Sequence, residues 1–130
     1  MKLFIAGTYT ELSKQAANDV IIIMQHCSKP LLCVASGDSP VGLYKELVNQ
    51  NNTANLDVSN WCFVGLDEWV GMNKNDEGSC QYYVQQQLFQ PLNVSEERIC
   101  FFNGRTAHPE KECQQTEAFI QQHGGIDMPV

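Results

Sequence analysis

Residues 61–66 read Trp-Cys-Phe-Val-Gly-Leu and are followed at once by Asp67 and Glu68. An apolar run with no polar alternation suits a strand covered on both faces, which is the environment of a parallel sheet between helices. Two carboxylates directly after such a strand are costly to bury unpaired. They belong where the carboxyl end of the strand meets a crevice, the place where open α/β sheets bind ligands. From this stretch alone, the start of a solvated loop remains the plainer alternative.

The rest of the chain repeats the theme. Residues 2–6 form a short expected strand, and Thr8 with Glu11 has the spacing of a capping box. The helix that follows would turn Leu12, Ala16, Val20, Ile23, Met24 and Cys27 inward, with His26 complementing the dipole at its end. A second strand is expected over 31–35. Next come Ser36-Gly37-Asp38-Ser39-Pro40 and a helix with Leu43, Tyr44, Leu47 and Val48 inward. Ser39 reads as the N-cap and Pro40 as the first helical residue. After the strand of 61–66 comes a polar loop, then a helix over 79–89 and a strand over 98–102. A helix runs from Pro109 to Gln122 with Cys113, Thr116, Phe119 and Ile120 inward, capped by Gly124-Gly125. Residues 126–130 begin a further strand. The order β-α-β-α-β-α-β-α-β predicts an α/β fold: a doubly wound, Rossmann-like, mostly parallel sheet with helices on both faces, cut short in its fifth strand. Residues 1–130 read as a single α/β domain, the amino-terminal part of a larger one.

Strand, small-residue turn and helix together have a chemical consequence. Gly37 permits a tight turn, and free amides at the helix start can hold an anion, with serine hydroxyls as extra donors. The turn matches neither the G-x-x-x-x-G-K-[ST] nor the G-x-G-x-x-G pattern, and Asp38 would repel phosphate unless its carboxylate points away. A net charge of −7 with only eight Lys and Arg argues against a nucleic-acid surface. None of the six cysteines is in C-x-x-C spacing, and Cys33, Cys62 and Cys100 read as small core residues. An even count allows three disulfides, but the α/β pattern does not need them, which favours a reducing, cytoplasmic setting. No stretch is apolar enough to be a signal peptide or to span a membrane.

Four blocks in order, SGDSPVGLYKEL, LDEWVGMNKNDEGSCQYY, FFNGRTAHPEKEC and GGID, resemble the amino-terminal half of the glucosamine-6-phosphate deaminase and galactosamine-6-phosphate isomerase family. The resemblance implies that Ser36, Gly37, Asp38 and Ser39 bind the substrate phosphate. It implies that Asp67 is the base moving a proton between C2 and C1. Glu68, Trp69, Gly71 and Ser79 would shape the site. A phosphorylated amino sugar is the implied partner, with neither metal nor organic cofactor. Trp69 and Cys80 replace residues that are more often Tyr or Phe, and Tyr, in that family. The family's later G-x-x-G-H-I-x-F-N-E-P block, which supplies the ring-opening histidine, has no counterpart here, and His26, His108 and His123 stand in other contexts. The 130-residue chain alone is therefore expected to be inactive. A 6-phosphogluconolactonase would carry Arg where Trp69 stands. A sugar-phosphate-sensing domain without catalysis and an inactive fragment are the other readings. An exposed sheet edge would promote association into a homo-oligomer.

Overall fold

The computed structural model describes residues 3–130. The elements are α1 (Tyr9–Gln25), β1 (Leu31–Val34), α2 (Val41–Asn52), β2 (Cys62–Gly65), α3 (Cys80–Val84), β3 (Ile99–Cys100), α4 (Pro109–Gln122) and β4 (Met128–Pro129). A π-helical turn, Gln85–Phe89, continues α3, and a 3-10 turn, Glu96–Arg98, leads into β3. The four strands form one parallel sheet in the order β3-β2-β1-β4. The expected α/β sheet with helices on both faces is present.

The chain moves outward from β1 through β2 to β3, then returns to pair β4 with the other edge of β1. This reversal puts a topological switch point at the carboxyl ends of β1 and β4, where crevices form in such sheets. Alternation along the strands sorts the core. Leu32, Val34 and Phe63 face a large cluster with α1, α2 and the α3 region, including Tyr44, Trp61, Val84 and Phe89. Leu31, Cys33 and Val64 face α4, where Phe119 and Ile120 cover them.

Residues 3–6 form no strand. Lys2 lies outside the described residues, and Leu3, Phe4 and Ile5 are exposed. Both edges of β1 are already taken by β2 and β4, so this segment finds no ladder there. Among the described residues the sheet therefore has four strands, not five.

The capping box at α1 forms nearly as expected. Glu11 N donates to Thr8 Oγ1 at 3.2 Å, and the Glu11 carboxylate reaches Gly7 N at 3.0 Å. The inward face of α1 is rotated by about one residue from expectation: Ser13, Ala17, Val20, Ile21 and Met24 are buried, while Leu12 and Ile23 are exposed. The cause is the contact with α2. A Cβ at Gly42 would lie 2.9 Å from both Ser13 Cβ and Tyr9 Cε1, so Gly42 lets the helices touch on that line.

β3 is shorter than the expected 98–102. Arg98 stays in the 3-10 turn, donating to the Val58 and Trp61 carbonyls at 2.8 and 3.0 Å. Phe101 leaves the ladder to lay its ring over Gly65, where a Cβ would come within 2.6 Å of it. α4 has the predicted bounds and ends in a Schellman motif: Gly125 N donates to Ile120 O and Gly124 N to Gln121 O. Cys113 is exposed instead of inward, and Thr116 is the buried residue of that helix. All six cysteines are unpaired. Among the described residues, no helix is long and apolar enough to cross a membrane.

Candidate functional site

The turn after β1 is tight and held from both neighbouring helices. Gly37 has φ +114, a conformation glycine adopts without strain. The Tyr44 hydroxyl, from α2, donates to Ala35 O at 2.7 Å. The Tyr9 hydroxyl, from α1, is shared between Asp38 O and Ser39 O at 3.1 and 3.0 Å, and accepts from Gly42 N at 2.8 Å. This last bond explains why Ser39 is not the N-cap. A Ser39 side chain would cap the amide that Tyr9 already takes, so α2 starts at Val41 after Pro40, with no side-chain cap. The amides of Gly37, Asp38 and Ser39 have no acceptor among the described residues.

Asp67 emerges beside this turn because β1 and β2 are in register. Val34 pairs with Gly65, and Leu66 N donates to Val34 O at 2.9 Å. Glu68 folds back as a staple. Its Oε1 accepts from Trp69 N and Cys80 N at 2.8 and 2.9 Å, and its Oε2 accepts from Gln81 N at 3.0 Å. Ser79, fully buried, caps α3 by accepting from Tyr82 N at 2.9 Å. The start of α3 is thereby fixed to the loop that follows β2.

Cys80, the first residue of α3, is buried. Burial pushes its pKa up most; the Ser36 hydroxyl pulls it down by hydrogen bonding, and the Asp67 charge pushes it up again. Cys33, beneath, is raised by burial and then by Asp67. Burial is the first cause of the shift at both thiols, and the Asp67 charge adds to it at both. On α3, burial and then the charge of Asp38 hold the Tyr83 phenol above its ordinary pKa.

The loop after Glu68 is held from a distance. Gly71, at φ +90, donates its N–H to Gly104 O at 2.7 Å. Arg105 Nε donates to Gly71 O at 3.2 Å, and its guanidinium pairs with Asp76. A Cβ at Gly104 would run into the Trp69 and Met72 carbonyls, so only glycine allows this approach. The Trp69 ring swings out and is 63% exposed.

Two hollows flank the Ser36–Asp67 junction. One, of about 320 Å3, lies between Asp67 and α4, walled by Phe102, Thr106, Pro109 and Glu112. The other, of about 360 Å3, lies at the switch point between Ser36, Ser39, Leu12 and Val130. The sequence-predicted phosphate turn and base are therefore adjacent but open into different hollows. Tyr9, Gly104 and Arg105 went unnoticed in the sequence. Tyr9 is hidden inside a capping pattern, and the two loop residues act some 30 positions from their partners. Among the described residues, no group of three His, Cys, Asp or Glu is placed to hold a metal ion.

Residues 7–130 match the family of glucosamine-6-phosphate isomerases and 6-phosphogluconolactonases. Among curated relatives, a glucosamine-6-phosphate deaminase of Lachnoclostridium phytofermentans is 38% identical over 98% of this chain and 54% of its own. One of Clostridium perfringens is 34% identical over 98% and 53%. The chain spans about half the length of the curated relatives it matches. Among solved structures, a monomeric glucosamine-6-phosphate deaminase superposes with a TM-score of 0.90 at 31% identity, covering 98% of this chain and 53% of that one. A 6-phosphogluconolactonase from Thermotoga maritima shares the fold, with a TM-score of 0.73 at 16% identity over 93% and 53%.

Proposed function

Since the chain belongs to the family of glucosamine-6-phosphate isomerases and 6-phosphogluconolactonases, we propose that it carries the phosphate turn and the proton-transfer base of an amino-sugar-phosphate deaminase. The observation that supports this reading most is the parallel β1–β2 register, with Leu66 N bonded to Val34 O at 2.9 Å, which sets a turn with three unbonded amides beside a carboxylate.

In this reading the amides of Gly37, Asp38 and Ser39, with the serine hydroxyls, hold the phosphate of glucosamine 6-phosphate. Binding energy from that remote group positions C1 and C2 over Asp67. With the ring open, Asp67 takes the C2 proton and returns it to C1. The amino group then leaves as ammonia, water supplies the carbonyl oxygen, and fructose 6-phosphate results. Glu68 has all its bonding taken by three amides and holds α3 in place instead of moving protons.

None of the three histidines is among the residues that line the Asp67 hollow. His26 and His123 end α1 and α4, which lead into the amino ends of β1 and β4. His108 is paired with Glu110 at 3.5 Å. The chain by itself is accordingly expected to bind the sugar phosphate without turning it over. The lactonase activity of the family is the weaker reading. The curated relatives cited above are deaminases at 34–38% identity, and Trp69 stands where a lactonase would carry Arg.

The test is an amide NMR titration of this chain with glucosamine 6-phosphate. Shifts centred on Gly37 to Ser39, reproduced by inorganic phosphate, are expected. In a protein of the relatives' full length, Asp67→Asn should lower kcat far more than it changes KM. Shifts elsewhere with this turn unmoved would end the phosphate assignment. Near-normal turnover of the Asn variant would end that of the base.

A further inference from the structure

A third hollow, of about 320 Å3, lies on the outer side of β3, between the residue 73–75 loop, α3 with its π turn, and residues 99–103. Its size falls in the range of small-molecule pockets, about 300 to 1,000 Å3. Its lining differs in kind from that of the Asp67 hollow. Gln81 and Gln85 stand one turn apart on the same helical face, both half-buried, and both turn toward this space. Neither amide head bonds to a protein group among the described residues. Asn75 adds a further amide from the loop opposite, where the Asn73 side chain is held by Asn103 and by Asn75 N.

The floor is apolar. Ile99 and Phe101 line it and also pack on the main core, which fixes them in place. The only charged lining groups, Lys74 and Glu96, neutralise each other in an ion pair of 2.6 Å. Side-chain amides offer a donor and an acceptor side by side, which matches vicinal hydroxyls. An aromatic and aliphatic floor matches the C–H face of a ring. Without net charge, nothing here selects for phosphate.

We infer that this cavity is a binding site for a neutral, hydroxyl-rich small molecule of monosaccharide type, distinct from the phosphate turn. It adjoins the Asp67 hollow through Phe102 and Asn103, which line both. A ligand here therefore touches the wall of the catalytic crevice without entering it.

The experiment is an NMR titration of this chain with N-acetylglucosamine and, separately, with glucose, reading the side-chain amide signals of Gln81 and Gln85. Saturable shifts with a millimolar midpoint are expected for one or both sugars. Gln85→Leu and Asn75→Ala should each weaken the midpoint by about tenfold, the loss of roughly one hydrogen bond with its partner left unpaired. The response of the Gly37 to Ser39 amides to inorganic phosphate should remain unchanged in both variants. Shifts that never saturate, that centre on Asp67, or that persist undiminished in both variants would overturn the assignment.

Discussion

The two loops that build the candidate site are held in opposite ways. The turn of residues 35–40 is short and is clamped by two tyrosine hydroxyls from the helices beside it. The loop of residues 66–79 is long, and its shape depends on a carboxylate folding back and on a glycine–arginine pair from beyond β3. The first is a rigid socket whose exposed amides face outward. The second is a strap tied down at both ends, and it carries Asp67 at its root. Adjacency of the 35–40 turn and Asp67 is set by the β1–β2 register.

Cutting the strap should have the largest effect. Gly104→Ala drives a methyl group into two backbone carbonyls that cannot rotate away, so the 69–72 turn must lift. A loss of about 3 kcal/mol in urea unfolding is expected, with the amide of Gly71 losing its exchange protection. Equal stability with an intact Gly71 bond would show that the strap is held elsewhere.

Glu68→Gln comes next. The amide oxygen can replace one acceptor but its NH2 faces an N–H donor, leaving at least one amide at the start of α3 without a partner. A loss of about 2 kcal/mol is expected, together with faster amide exchange at Cys80 and Gln81. Unchanged exchange there would remove Glu68 from its stapling role.

The socket should be more forgiving. Tyr9→Phe removes one hydroxyl that serves two carbonyls and the Gly42 amide, all near solvent. About 1 kcal/mol is expected, with a weaker phosphate response at Ser39. A cost larger than that of Glu68→Gln would reverse the contrast between socket and strap.

The smallest effect links the two loops and is read as a slope. Cys80 and Cys33 both have pKa values raised above the ordinary 9.0 by burial, then by Asp67. The stability they supply is complete below that value. Above it the unfolded chain gives up its protons first, so stability falls as pH rises. Cys80→Ala should flatten the decline in urea midpoint above pH 9, and an unaltered slope would mean that Cys80 is not among the groups responsible.

The socket was legible in the sequence and the strap largely was not. Gly37, Pro40 and the apolar stripe of α2 act within a few residues, where turn and helix preferences are expressed. Asp67 and Glu68 were legible as the end of an apolar run. The partners of residues 69–76 sit near position 104, and no local pattern announces that Gly104 must lack a side chain. The rotated face of α1 has the same origin, since its cause is Gly42 in another helix. The absent strand at residues 3–6 shows that an apolar run does not form a strand unless it joins a ladder.

The reciprocal bonds between Asp127 and Leu31, side chain to amide at 2.8 Å and amide to carbonyl at 3.0 Å, join positions 96 residues apart. The β1–β2 pair closes a far shorter loop, and loop-closure entropy must be met before a long-range ladder returns anything. Folding should therefore assemble the 35–40 turn and Asp67 early, around β1 and β2, and dock β4 late. The side of the switch-point crevice bordered by Val130 is the last to take shape, and the first to open when the protein breathes.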